Sequence, residues 1–455
     1  QNRWLNQRDS ASYVRQTKDR CVRAKRLALC DSGLILAFVI PAARQQFGRA
    51  ELANEGQVNQ VNRRAEQVMS LNSSDSDPKS IAQTLLDTVS LDDADVGELR
   101  PGLEAAVAAL YQDQALTLQG REQALAQYRD NLHRLQQVSD DRRRYPAIAE
   151  EKITAPIFIL GLPRCGTSML HALMASDPAM RSPLMWEVAA PSPPPGTQSA
   201  ETDPRIAAYD KFVDETFVGE WAGVRKAHPI GARIPQECGM ILETAFRSIN
   251  PVTMFRIPEF YQWYLDHDMT YGYRVHRRWL QHLQWQKPGR RWVLKVQEHM
   301  YNIPQLLSVY PDAVFVQPHR DPRTVLASIS RLIYVIRSIA MDDQDLEVLG
   351  KEMLHLWHDG QARMMAYRRE HPELPVHDVS FKSLLADPVE AVRGIYTRYD
   401  MDFTPAAESG ILKWLADNPA DKHGKHTYTL EDYGLSTAQI ETVYGDYIET
   451  YRDYL

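Results

Sequence analysis

Residues 156–170 constrain the fold of this chain more than any other stretch. Pro156-Ile157-Phe158-Ile159-Leu160 is an apolar run of strand length. A turn rich in glycine and proline follows, and then Met169, Leu170, Leu173 and Met174 recur at helical spacing. Strand, glycine turn and helix together make a phosphate-binding loop. Backbone N–H groups at the helix start converge on an anion, and the helix dipole adds partial positive charge there. Gly161 and Gly166 have the spacing of the pattern G-x-x-x-x-G-K-[ST], but Thr167 stands in the lysine's place. The cation lies inside the loop instead, at Arg164.

The 455 residues suffice for two or three domains with a sizeable core. Three parts are expected: an N-terminal extension over 1–55, a helical region over 56–150, and a domain over 151–455 built on the loop. The formal net charge of −7 gives a nucleic-acid role no support. Cys21, Cys30, Cys165 and Cys238 are too few and too scattered for a disulfide framework or a zinc site, so a cytoplasmic location is expected. Residues 15–26 are basic and 33–43 apolar, the outline of a signal peptide, although the apolar part is too short to cross a bilayer. This stretch reads as a loosely docked extension, with a signal or anchor as the alternative. No stable membrane insertion is expected elsewhere. Apolar residues recurring at three and four mark helix over 103–138, and a shorter helix is expected over 80–89.

Several landmarks follow the loop. Trp186-Glu187 precedes a proline run, Pro191 to Gly196, that cannot continue a helix and reads as a surface loop or lid. A lone Glu is ordinarily a solvated surface residue. Residues 255–285 are dense in aromatics, which suits equally a core or a pocket for an acceptor with an apolar body. Lys295 and His299 lie at and beyond the end of the apolar run 292–294. In parallel α/β sheets ligands bind outside the carboxyl ends of strands, so the pair is a candidate site. Residues 313–328 repeat the order strand, turn, helix, with Asp321 placed as N-cap and Pro322 at the first helical position. Arg320 projects from that strand's end, and Ser328 lies two turns into the helix; guanidinium and hydroxyl both suit a phosphate. Near the C-terminus Lys422, His423, Gly424 and Lys425 form a small basic loop. By itself it is a solvated charge cluster; beside two anion-binding turns it could close over a nucleotide.

Together these motifs resemble the sulfotransferases that use 3′-phosphoadenosine 5′-phosphosulfate (PAPS), from about residue 156 to the C-terminus. The closest likeness is to the bacterial branch related to tyrosylprotein sulfotransferases. Pro163-Arg164-Cys165-Gly166-Thr167-Ser168 fits the family's 5′-phosphosulfate loop, P-[RK]-x-G-[ST]-[ST]. Arg320 and Ser328 match, in type and eight-residue spacing, its pair for the 3′-phosphate. Lys422, His423, Gly424 and Lys425 resemble its nucleotide-covering loop more loosely. The catalytic base differs between branches. Glu187 matches the place of the tyrosylprotein-branch Glu, and His299 follows Lys295 as a His follows a Lys in other members, with departures at Val296 and Gln297. Glu187 is the favoured base.

The resemblance implies an α/β fold: a central, mainly parallel sheet with helices on both faces and a helical N-terminal region. Strands are expected over 157–160, 292–295, 314–317 and 376–379. It also implies transfer of a sulfuryl group to a hydroxyl or amine of a small or lipid-like acceptor, leaving adenosine 3′,5′-bisphosphate. Positioning, charge neutralisation and proton removal suffice for this chemistry, so no metal is expected. A homodimer is compatible with it. The rival readings are a P-loop kinase or NTPase, which wants a lysine after Gly166 and a Mg²⁺-binding Asp, and a non-catalytic nucleotide-binding relative.

Overall fold

The computed structural model describes residues 77–112, 115–197, 202–216, 230–287, 290–419 and 428–455. The extension over 1–55 and the basic loop with Lys422, His423, Gly424 and Lys425 lie outside the described residues.

Three helices open the described chain: α1 (Pro78–Leu86), α2 (Asp93–Gln112) and α3 (Leu118–Arg144). The Asp77 carboxylate caps α1 by accepting from the Ser80 N–H. The periodicity over 103–138 belongs to two helices, not one. The Thr117 hydroxyl starts the second by accepting from the Gly120 N–H at 2.9 Å, while its own O–H donates to the Ala340 carbonyl at 3.0 Å. A cap and a distant tether at one residue outweigh the apolar spacing.

Strand β1 (Ile157–Ile159) leads into α4 (Thr167–Ala175), and β2 (Met180–Arg181) into α5 (Met185–Ala189) and α6 (Pro204–Thr216). Next come α7 (Gly239–Glu243), α8 (Asn250–Met254), α9 (Pro258–Asp266) and α10 (Thr270–Gln284). Then β3 (Arg291–Lys295) runs into a 3₁₀ turn (Gln297–Tyr301) and α11 (Ile303–Val309). Beyond β4 (Val314–His319) lie α12 (Pro322–Arg337) and α13 (Leu346–Glu370). The chain finishes with β5 (Val376–Ser380), α14 (Phe381–Ala386), α15 (Pro388–Arg398), α16 (Pro405–Asp417) and α17 (Thr437–Thr450).

The five strands form one sheet in the order β2-β3-β1-β4-β5, and every pairing is parallel. The four strands expected from sequence all lie in it. The fifth, β2, is two residues long and too short to show as an apolar run. Alternation along β1 assigns the two faces. Phe158 and Leu160 join an apolar cluster with Leu103, Leu132, Trp279 and Ile333, whereas Ile157 and Ile159 join Leu170, Val392 and Ile411. Helices α2, α3, α10 and α12 therefore contribute to the core on one side of the sheet, and α4, α15 and α16 to the core on the other.

The aromatic stretch is core. Phe255, Phe260, Tyr264, Tyr271, Tyr273 and Trp279 are all buried, and Tyr271 and Tyr264 hydroxyls are bonded to Asp95 and Asn302. Among the described residues no helix is long and apolar enough to cross a membrane, and no group of three or more His, Cys, Asp or Glu could hold a metal ion.

Candidate active site

Because the sheet is all parallel, the carboxyl ends of its strands share one edge. The 161–166 loop follows β1, Lys295 ends β3, Arg320 follows β4 and Phe381 follows β5. Residues far apart in sequence thus meet at one rim.

The loop is curled by three left-handed residues: Gly161 at φ 110°, Arg164 at φ 72° and Gly166 at φ 87°. Such a turn points successive N–H groups inward. A Cβ at Gly161 would stand 2.8 Å from the Pro318 carbonyl oxygen, and one at Gly166 2.9 Å from Leu384. Both positions therefore require glycine. Gly166 is also the N-cap of α4 and has no side chain to bond the first-turn N–H groups. On α12 the equivalent place is filled: the Asp321 carboxylate accepts from the Arg323 N–H. The start of α4 is left available to an anion. Pro163, Cys165 and Thr167 are buried beneath it, and burial pushes the Cys165 thiol up to about 12, so it packs as a neutral group.

The second signature lies against the first. Arg164 Nε donates to Ser328 Oγ at 3.2 Å, and an Arg320 guanidinium N–H donates to the Arg164 carbonyl at 2.9 Å. Tyr428 donates its phenolic hydrogen to Ser328 Oγ at 2.8 Å. The Arg320 guanidinium lies 4.2 Å from the Phe381 ring centre. Burial lowers its pKa, and the Arg164 charge acts in the same direction. Two guanidinium groups so placed favour an anion between them.

Lys295 brings a third element to the rim. Its side chain is 2% exposed, and its Nζ donates to Ser168 Oγ at 3.2 Å and pairs with Glu237. Glu237 is held there by backbone: the Cys238 N–H donates to the Lys295 carbonyl at 3.0 Å, in effect extending the edge of β3.

Glu187 and His299 are differently placed. The Glu187 carboxylate, 1% exposed, accepts from Arg181 at 3.0 Å and from the Leu184 N–H at 3.1 Å, with Lys287 Nζ at 3.5 Å. Its partners come from β2, the turn before α5 and the turn after α10. His299 is fully buried, edge-on to Phe158 at 4.9 Å, with Nδ1 bonded to the Tyr273 hydroxyl at 3.0 Å. Burial holds its pKa well below the ordinary value, and the neighbouring His276 adds to this. It is a neutral core imidazole. Glu237, Tyr428 and Phe381 are the site residues that sequence reasoning missed. Glu237 stands in Ile-Pro-Gln-Glu-Cys, which has no periodicity and no motif.

The carboxyl edge of this α/β sheet thus gathers the 161–166 loop, Arg164, Lys295 and Arg320, a concentration of positive charge suited to an anion. The model of the Sulfotransferase family matches residues 156–405, more than half of the chain, and the chain belongs to that family. The structure is similar to sulfotransferase STF1 from Mycobacterium tuberculosis H37Rv, with 26% identity and a TM-score of 0.70, covering 80% of this chain and 97% of that one. Similarity to sulfotransferase STF9 from Mycobacterium avium is at 26% identity and a TM-score of 0.72, covering 85% and 96%. The omega-hydroxy-beta-dihydromenaquinone-9 sulfotransferase Stf3 of Mycobacterium bovis is 22% identical over an aligned length of 308 residues, covering 65% of this chain and 74% of that protein.

Proposed function

We propose that this sulfotransferase takes its sulfuryl group from PAPS and passes it to a hydroxyl on a lipid-like acceptor. One observation carries the reading: Lys295 Nζ bridges Ser168 of the anion loop and the carboxylate of Glu237. Donor and proton acceptor are thereby brought to one ammonium group. The loop N–H groups and Arg164 hold the 5′-phosphosulfate, while Arg320, Ser328 and Tyr428 hold the 3′-phosphate. The acceptor oxygen forms a bond to sulfur as the sulfur–oxygen bond to the 5′-phosphate breaks. Lys295 neutralises the leaving phosphate, and Glu237 takes the acceptor proton.

Glu237 is assigned as base in preference to Glu187 and His299 because it alone contacts a residue of the donor rim. The oxygens of Glu187 are occupied by Arg181 and the Leu184 N–H, and His299 is sealed in the core. A kinase reading gains no support from Asp321, whose carboxylate caps α12 and pairs with Arg323. The lipid-like acceptor is supported by the mycobacterial relative, whose name gives it a hydroxylated menaquinone derivative.

Calorimetry with adenosine 3′,5′-bisphosphate and AMP tests the donor. The bisphosphate should bind far more tightly, and Arg320→Ala should weaken it by roughly 1.5–3 kcal/mol, about ten- to a hundredfold. Equal affinity for the two nucleotides rejects the donor assignment.

A further inference from the structure

We propose a second anion site, on the opposite edge of the sheet from the donor loop, that binds a phosphate ester. A cavity of about 620 Å³ lies between the end of α3, α10 and the end of α11. Its walls carry Arg142, Arg274, Arg277 and Arg278, with Gln281 and Ser308 beside them. Its place in the fold is the amino edge. Helix α11 ends at Val309, shortly before β4 begins at Val314, and Gln281 Nε2 donates to the carbonyls of Ala149 and Glu151, which precede β1. Donor and acceptor chemistry occupies the carboxyl edge, so this cavity is unused by the reaction proposed above.

The charges in it do not balance. A single Arg278 nitrogen donates to both oxygens of Asp95, at 2.7 and 2.8 Å, and Arg274 pairs with Glu98. Those two carboxylates answer two of the four guanidinium groups. Arg142 donates to the neutral Gln281 Oε1 at 3.0 Å, and Arg277 has no ion-pair partner among the described residues. Burial lowers the Arg142 pKa, the charges of Arg278 and Arg277 lower it further, and Asp95 offsets this only in part. Four guanidinium groups and no carboxylate line the cavity, and an anion entering it relieves the repulsion among them.

Arg142 is also fixed before any ligand arrives. Gln281 is buried and clamped by the two carbonyls that its amide bonds, so its oxygen is held toward Arg142. A preset guanidinium fork suits the paired oxygens of a phosphate better than it suits a halide. The volume accommodates a headgroup-sized molecule. The ligand class is thus a phosphate ester, whether borne by a phospholipid headgroup or by a soluble metabolite.

The probe is inorganic pyrophosphate, titrated calorimetrically into the full chain carrying Arg164→Ala and Arg320→Ala. These substitutions disable the donor loop, so the result does not depend on the PAPS assignment. Residual binding at one site is expected. Adding Arg142→Gln and Arg277→Gln should weaken it about ten- to a hundredfold. Arg277→Glu alone, at an exposed position, should also abolish it with an unchanged melting temperature. No binding to the donor-disabled chain, or binding indifferent to Arg142 and Arg277, overturns the proposal. Flotation with phosphatidylcholine vesicles, with and without phosphatidylglycerol, then separates the sources. Capture that needs both the anionic lipid and Arg277 identifies a headgroup; pyrophosphate binding without capture identifies a soluble ester.

Discussion

The anion loop and the Lys295–Glu237 pair share one rim, yet the chain makes them by different means. The loop is local. Six consecutive residues with three left-handed conformations curl the backbone, and the helix that follows is left uncapped by any side chain. The pair joins residues 58 apart in sequence, and a backbone hydrogen bond from the neighbouring Cys238 holds it together. A cradle of N–H groups is a property of backbone shape, and its sequence pattern survives in any tertiary setting. A proton acceptor is a property of surroundings. Glu187 shows the converse: its place in the sequence suits a base, but Arg181, Lys287 and the Leu184 N–H take up its carboxylate.

Breaking each half separately tests that contrast. The largest effect is expected from Glu237→Gln, which keeps the shape and removes the base. Single-turnover transfer from PAPS should slow ~10²–10⁴-fold with affinity for adenosine 3′,5′-bisphosphate retained. Should Glu187→Gln show that loss instead, with its melting temperature unchanged, the base is Glu187 and Glu237 only steadies Lys295. A smaller and opposite pattern is expected from Gly161→Ala. Its Cβ would meet the Pro318 carbonyl at 2.8 Å in a backbone at φ 110°. The strain, roughly 1–3 kcal/mol, should weaken bisphosphate binding about five- to a hundredfold. Unaltered binding would show that the cradle does not depend on backbone shape.

The smallest effect is one of stability and pH. His171 of the donor helix is buried, its ring bonded to the Val293 carbonyl at 3.2 Å. Burial, with the Lys295 charge acting the same way, lowers its pKa from 6.5 to about 3. The unfolded chain therefore binds a proton that the folded chain refuses, and the contribution present above pH 6.5 is lost as pH falls toward the folded value. Between pH 6.5 and about 5 the loss should approach roughly 2 kcal/mol. His171→Gln, which keeps a donor for Val293, should flatten that part of the melting-temperature profile. An identical profile in the variant would place the acid-sensitive group elsewhere, with His276 and His299 the next to examine.

The contrast also explains what could be read from sequence. Three strands announced themselves as apolar runs bounded by turn residues, and Asp321-Pro322 marked the start of α12 because capping is written in adjacent residues. Arg320 and Ser328 were legible for the same reason: a strand end and two helical turns fix their separation. The break between α2 and α3 was not legible, since the tether of Thr117 to Ala340 spans 223 residues. Nor was the fate of the 255–285 aromatics, whose composition suits a core and a pocket alike and is decided by packing. Glu237 and Tyr428 escaped because a single residue in an aperiodic segment has no pattern until the chain closes around it.

The tie between Cys238 and Lys295 is made by a peptide N–H. Any amino acid except proline supplies that group, so the side chain at position 238 is not what anchors the Glu237 carboxylate. For the tie itself the requirement at 238 is a prohibition, while the buried Cys238 thiol separately demands a small side chain. A search for a favoured residue type there would pass over the position that sets the reach of Glu237. The anchor is written in the sequence only as the one residue that must not appear.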